Sequence, residues 1–124
     1  MFVYFAVLLV IIGVFTPNLA IAQQTKNTTI TIESGLGQLC VAKINCFDPP
    51  ISHIQTDTTV DWKNADRSYH TVTSGSPPEK QVGMAFDSGL IAPGKVFTFT
   101  FENAGTYHYF DEIHPWMRGE VVVA

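Results

Sequence analysis

The sequence predicts an all-β fold, an antiparallel Greek-key β-sandwich of about seven to eight strands. Apolar and polar residues alternate in several short runs, most clearly where Phe97, Phe99 and Phe101 are separated by threonines. Glycine, proline, asparagine and aspartate interrupt the chain between these runs, as they do at turns. No stretch shows the apolar period of an amphipathic helix. Short alternating strands with frequent turns are typical of antiparallel sandwiches.

The predicted strands, in chain order, cover residues 28–33, 53–62, 69–73, 96–101, 105–111 and 119–123. A turn near Asp57 divides the second of these segments into two strands. In the third, His70 and Val72 are two residues apart and are therefore predicted to share a face of the sheet. Residues 35–50 and 74–84, which contain several glycines and prolines, are predicted to be loops.

The N-terminus has the pattern of an export signal. Residues 2–15 are almost entirely apolar, and a small-x-small pattern at residues 20–22 predicts cleavage after Ala22. Cleavage would leave a domain of residues 23–124 in an extracellular or periplasm-like space. The alternative is a retained membrane anchor formed by residues 1–22, because the positive charge usual at the start of a signal is missing.

Length and composition limit the remaining possibilities. A chain of 124 residues is predicted to form one domain, which we expect to be a monomer. The formal net charge is −4 and no basic patch is evident, so nucleic acid is not an expected partner. The two cysteines, Cys40 and Cys46, favour a disulfide in an exported domain. Two free thiols or a metal-binding pair are the alternative.

The candidate ligands are densest near the C-terminus, where the chain reads Gly-Thr-Tyr-His-Tyr-Phe-Asp-Glu-Ile-His-Pro-Trp-Met. Strand alternation places Tyr107, Tyr109 and Asp111 on one face, and the two aromatic residues indicate that this face is buried. A buried carboxylate is costly unless it is paired or bound to a metal. His114 and Met117 follow at intervals of three around a proline-containing turn. We therefore predict a metal-binding loop.

This stretch resembles the last loop of the cupredoxins, the family of small copper proteins that includes plastocyanin and pseudoazurin. The family's loop reads Gly-x-Tyr-x-Tyr-x-Cys-x-x-His-x-x-Met, and its Cys, His and Met bind copper. His114 and Met117 match the family's His and Met, whereas Asp111 stands at the Cys position.

Two further segments carry the same resemblance. Residues 60–64 followed by residues 70–73 resemble the strand, turn and first-ligand strand of the cupredoxins, and residues 86–94 resemble the segment before their Phe-rich strand. The resemblance extends from about residue 28 to residue 123 and implies the cupredoxin sandwich.

The resemblance implies one copper ion per chain, with His70, Asp111, His114 and Met117 as its ligands. A carboxylate in place of the thiolate favours Cu(II), should lower the reduction potential and cannot give the strong thiolate-to-copper absorption, so we expect a site that is not blue. Two imidazoles and a carboxylate also suit Zn²⁺. Each residue has an alternative role: a core imidazole for His70, a turn histidine for His114, core packing for Met117, and backbone hydrogen bonding for Asp111 in a metal-free loop.

Three neighbouring residues have expected supporting roles. Thr71 is placed to hydrogen-bond across to the Asp111 strand, and Pro115 should restrict the loop. By resemblance, a redox partner protein docks on the apolar surface of Pro115 and Trp116 beside His114.

These inferences together predict an exported copper protein that carries single electrons through a modified His₂Asp(Met) site. One alternative is a module that binds or buffers Cu(II) or another divalent ion without redox turnover. Another is a structural cupredoxin domain without metal. We do not expect an enzyme, because the sequence offers a single mononuclear site and no pairing of a nucleophile with a base.

Overall fold

The structure is a computed structural model that describes residues 10–14, 26–33, 40 and 46–124. Eight strands run through these residues. They are β1 (Asn27–Ile32), β2 (Phe47–Asp48), β3 (Ile51–Ile54), β4 (Thr58–Asn64), β5 (Thr73–Ser74), β6 (Val96–Phe101), β7 (Gly105–Phe110) and β8 (Arg118–Val123). The predicted strands at both ends of the described domain, and the Phe-rich strand, are present within one or two residues of their expected limits.

The strands form two four-stranded sheets, with the orders β2-β1-β4-β6 and β3-β8-β7-β5. This arrangement confirms the predicted β-sandwich. It differs from an all-antiparallel sandwich because β1 pairs with β4, and β3 with β8, in parallel. After β2 the chain passes through the second sheet as β3 and returns to the first as β4, which runs in the direction of β1. Alternation within a strand carries no information about this pairing.

Aromatic side chains fill the space between the sheets. The ring of Trp62 on β4 lies against those of Phe86, Phe97 and Phe101, and it contacts Tyr109 of the opposite sheet edge-on at 5.5 Å between centroids. Aliphatic side chains from both sheets complete this core, namely Ile30, Ile32, Val60, Val121 and Val123. Burial of this many apolar groups is the main driving force for the fold.

The strand that leads to the candidate site has the predicted inward face. Tyr109 and Asp111 are buried and Tyr107 is half-buried. Gly119, directly opposite Tyr109 on β8, makes room for the phenol, because a Cβ at this position would lie 2.2 Å from its hydroxyl oxygen. The aromatic strand β7 therefore places Asp111, the residue that follows it, at the end of the core.

The prediction of a strand over residues 69–73 is wrong for most of its length, since the paired strand β5 contains only its last residue. His70 instead exchanges two backbone hydrogen bonds with Ile91 in an isolated bridge. The N–H groups of Thr71 and Val72 donate to side-chain oxygens rather than to a neighbouring strand. Side-chain acceptors thus replace a sheet ladder beside the site.

A disulfide joins Cys40 to Cys46, as predicted, with their Cα atoms 4.5 Å apart. The predicted loop of residues 35–50 contains the short strand β2. Of the predicted export signal, the structure describes residues 10–14, which are exposed, while the expected cleavage point after Ala22 lies outside the described residues. Among the residues described, none belongs to a helix with the length and apolar character needed to cross a bilayer.

Candidate metal centre

The loop between β7 and β8 is closed by its own backbone. The N–H of Met117 donates to the carbonyl of His114 over 2.8 Å, and the N–H of Asp111 donates to the carbonyl of Met117 over 3.1 Å. These two bonds fold the chain back within seven residues, and the His114 side chain contacts Asp111 at the start of the loop. The spacing of Asp111, His114 and Met117 therefore brings them to one turn, as their sequence intervals of three suggest.

Asp111 is the centre of this arrangement. Its Oδ2 lies 2.6 Å from Nδ1 of His70 and 2.8 Å from Nδ1 of His114, while its Oδ1 accepts the N–H groups of Thr71 at 3.1 Å and Ile113 at 2.9 Å. Burial alone would raise the pKa of Asp111, but the hydrogen bonds from the two histidines and the two amides outweigh burial and lower the pKa. The carboxyl is therefore ionised at neutral pH.

These hydrogen bonds stabilise the Asp111 carboxylate without any metal ion. Burial of this carboxylate does not by itself require a metal, contrary to the simplest argument from the sequence. The stronger indication is the convergence of two imidazole nitrogens on one carboxylate oxygen.

His70 is fully buried and lies between two carboxylates. Its Nδ1 faces Asp111, and its Nε2 lies 2.8 Å from Oδ2 of Asp66. Burial on its own would lower the pKa of His70, but the hydrogen bonds and charges of Asp111 and Asp66 together raise it. In the metal-free protein the imidazole is accordingly stabilised in its charged form.

Asp66 is the site residue that the sequence did not reveal. It precedes His70 by four residues, in the segment between β4 and His70. An acidic residue four positions before a candidate ligand is a weak indication of contact between the two. Whether the two side chains meet depends on the path of the backbone between them. The signal that the sequence does contain is an aspartate four residues before a candidate histidine.

The ligand atoms of His70, Asp111 and His114 all lie within 4.8 Å of one another. Around a small divalent ion with bonds of about 2.1 Å, tetrahedral ligand atoms are separated by roughly 3.4 Å. A metal held by these three groups would take the place of the protons between them, and the N–O distances of 2.6 and 2.8 Å would lengthen. Two imidazoles and a carboxylate are a donor set for Cu(II) or Zn²⁺. The set contains no thiolate, because both cysteines of the chain are joined to each other.

Met117 has a fully buried side chain that packs in the core cluster with residues of both sheets. Core packing, the alternative considered for it, accounts for this burial. Its role as a fourth ligand stays a prediction.

Thr71 and the loop residues surround the cluster. The hydroxyl of Thr71 accepts the N–H of Glu112 at 2.8 Å, so Thr71 connects the His70 segment to the C-terminal loop.

His114 is the more accessible histidine of the site, with 15% of its side chain exposed, whereas the side chain of His70 is fully buried. The ring of His114 contacts that of Trp116 edge-on, with 5.3 Å between the ring centroids, and both Trp116 and Pro115 are exposed. Pro115 and Trp116 thus form an apolar rim beside the histidine that reaches the surface.

The fold and the cluster define a small β-sandwich protein with a histidine–carboxylate centre at one end. The chain belongs to the cupredoxin family: the cupredoxin-like domain matches residues 4–123. This confirms the resemblance derived from the sequence motifs.

Individual cupredoxins are similar over most of the chain. The amicyanin of Paracoccus denitrificans is 27% identical over 113 residues, which are 90% of this chain and 82% of that protein. A novel purple cupredoxin from Nitrosopumilus maritimus has 29% identity and a TM-score of 0.66, with 78% of this chain and 99% of that chain covered. An amicyanin variant solved with Cu(I) has 25% identity and a TM-score of 0.59, with 79% and 82% covered.

Proposed function

We propose that this protein binds one copper ion through His70, Asp111 and His114, with Met117 as a weak fourth ligand, and carries single electrons. The observation that carries the proposal is the approach of two imidazole Nδ1 atoms to one oxygen of Asp111, at 2.6 and 2.8 Å. Membership of the cupredoxin family, and the Cu(I) form in which an amicyanin variant was solved, support copper as the metal.

Copper would supply a one-electron redox centre when bound. The residues of this chain would hold it and set its preference for one oxidation state. Asp111 offers a hard, anionic oxygen where a thiolate would be soft, so the site favours Cu(II) and a low reduction potential. Thr71 and Ile113 hold the second oxygen of that carboxylate through their N–H groups. The carboxylate is thereby oriented before any metal arrives.

The route for electrons is proposed to be His114 and its apolar rim. This histidine reaches the surface, and its ring touches the exposed indole of Trp116. A partner protein that docks on Pro115 and Trp116 would therefore come close to a ligand of the metal. We further propose that the protein is exported and acts as a monomeric domain of residues 23–124 without enzymatic activity of its own.

A second candidate function is uptake or buffering of a divalent ion without redox cycling. The carboxylate at Asp111 favours it, because an oxygen ligand stabilises Cu(II) and Zn²⁺ but offers little to Cu(I). Voltammetry of the copper-loaded protein separates the two functions. A reversible couple with fast exchange supports the electron carrier, and a sluggish or absent couple supports the buffer.

The proposal as a whole is tested by the metal content of the purified protein. We expect about one copper per chain after loading and removal of loosely bound ions. Absence of both copper and zinc after loading would leave only a structural sandwich domain. The His108→Ala variant is a matched control, because His108 is an exposed histidine of the same strand that leads to the site, and it should keep full uptake.

A further inference from the structure

Asp66 contacts Nε2 of His70, the ring nitrogen that does not face Asp111. Its Oδ2 is 2.8 Å from Nε2, on the opposite side of the ring from the 2.6 Å contact between Nδ1 and Asp111. The imidazole is fully buried, and only 11% of the Asp66 side chain is exposed. Through this contact, the charge of Asp66 acts on the candidate site without Asp66 contacting the metal position itself.

The position of Asp66 is built into the turn that precedes His70. Its Oδ1 accepts the N–H of Arg67 at 2.7 Å, and its own N–H donates to Oδ1 of Asn64 at 2.9 Å. Asn64 is fully buried, and its amide nitrogen donates to the carbonyls of Ser68 at 2.8 Å and Ile91 at 3.0 Å. A buried amide therefore fixes the turn from both ends, and Oδ2 of Asp66 faces the histidine.

We propose that Asp66 is a positioning residue that makes the site select Cu(II), or another divalent cation, over Cu(I). This inference rests on the function proposed above. An N–H donated from Nε2 to Asp66 leaves Nδ1 as the nitrogen that binds the metal, and it makes that nitrogen a stronger donor. Coulomb attraction is proportional to the charge of the cation, so Asp66 stabilises a dication about twice as much as a monocation.

The test compares affinities for Cu(II) and Cu(I), each measured by chelator competition, in the wild-type protein and in three variants. Asp66→Asn keeps the shape of the side chain and removes its charge. Asp66→Glu keeps the charge and serves as the conservative rescue. Glu112→Gln is the matched control, because it removes one exposed charge next to Asp111 without altering the Asp66–His70 contact.

For Asp66→Asn we expect the Cu(II) affinity to fall roughly 10- to 100-fold, the usual effect of removing the partner of a metal-bound histidine. The Cu(I) affinity should fall by about the square root of that factor, roughly 3- to 10-fold, because the ion carries half the charge. The reduction potential should then rise by roughly 30–60 mV, at 59 mV per tenfold change for one electron. Asp66→Glu should recover most of the loss, and Glu112→Gln should change the ratio of affinities by less than about twofold because surface charges are screened.

A second measurement does not depend on the folding of any variant. In the wild-type protein loaded with Zn²⁺, nitrogen-15 NMR should show Nδ1 of His70 bound to the metal and Nε2 carrying a proton that exchanges slowly. Metal bound at Nε2 would overturn the proposed role of Asp66.

The outcomes distinguish this inference from the proposed function. If the wild-type protein binds copper and Asp66→Asn lowers both affinities equally or neither, the selection role of Asp66 is wrong while copper binding stands. If the wild-type protein binds neither copper ion, the proposed function fails, and the role of Asp66 fails with it.

Discussion

Thr71 and Asp111, which lie just before β5 and just after its partner strand β7, are joined by a hydrogen bond of 3.1 Å from the N–H of Thr71 to Oδ1 of the carboxylate. The hydroxyl of Thr71 adds a second connection by accepting the N–H of the next residue, Glu112, at 2.8 Å. These contacts couple the segment that carries His70 to the loop that carries His114. The geometry of the cluster therefore depends on a residue that is not itself a candidate ligand.

We predict that Thr71→Val lowers the free energy of unfolding of the metal-free protein by about 1–3 kcal/mol. Valine has nearly the same shape, but it leaves the N–H of Glu112 without its acceptor in a partly buried position. Urea denaturation followed by circular dichroism measures the change. Thr106→Val is the control, because Thr106 is exposed on β7 and its replacement should change stability by less than about 0.5 kcal/mol. Equal stability of the Thr71 variant and the wild type would contradict the bridging role.

The stability of the metal-free protein should depend on pH in two directions. The pKa of His70 is raised from its usual 6.5, so its contribution is complete below that pH and is lost as pH rises through the higher folded value. The pKa of Asp111 is lowered from its usual 3.8, so its contribution is present above that pH and is lost as pH falls through the lower folded value. We therefore expect a maximum on the acidic side of neutrality, between these two ordinary values.

Urea denaturation of the metal-free protein over a range of pH tests this expectation. In the His70→Gln variant the decline on the alkaline side should become shallower, since glutamine does not titrate. Unchanged stability of the wild-type protein from pH 6 to pH 9 would contradict the two-carboxylate environment of His70. Metal affinity should show the opposite trend and increase with pH, because the ligands must lose protons to bind the ion.

His114→Ala should reduce Cu(II) affinity by at least about a hundredfold, since substitutions of residues that merely support a ligand already cost 10- to 100-fold. His108→Ala removes an exposed histidine that makes a 3.5 Å contact with Glu120 instead, and it should leave the affinity within about twofold. Competition with a chromophoric chelator measures both. Equal losses in the two variants would point to nonspecific binding by surface histidines.

Asp111→Cys should turn the copper-loaded protein intensely coloured. The new thiolate would stand beside two imidazoles, and a copper–thiolate bond gives the strong absorption that a carboxylate cannot. Asp111→Ser provides the control, because it has a similar small size but no thiolate and should stay nearly colourless. A colourless copper-loaded Asp111→Cys protein would mean that position 111 does not contact the metal.

The fold was largely predictable because it depends on local alternation. The Phe-rich strand β6 and the aromatic strand β7 follow it closely, and Tyr109 and Asp111 point inward as expected. The segment around His70 was not predictable in this way. The backbone N–H groups of Thr71 and Val72 bond to side chains of distant residues, which no local pattern encodes.

The candidate site was also predictable only in part. His70, Asp111 and His114 could be proposed from spacing and resemblance, and the structure brings their ligand atoms together. The contact between Asp66 and His70 could not be, because it depends on how the buried amide of Asn64 shapes a turn. Backbone hydrogen bonding of Asp111 was expected as the alternative to metal binding, and the structure shows it. The particular donors, the N–H groups of Thr71 and Ile113, could not be named, because the path of a loop backbone has no signature in the sequence.

The most direct test of the central claim is the EPR spectrum of the protein loaded with one equivalent of Cu(II). We predict a single signal with hyperfine coupling to two nitrogens, unchanged in His108→Ala and lost or reduced to one nitrogen in His70→Ala. A spectrum that survives the removal of His70 intact, or that shows only free copper in the wild type, would contradict a metal centre built on His70, Asp111 and His114.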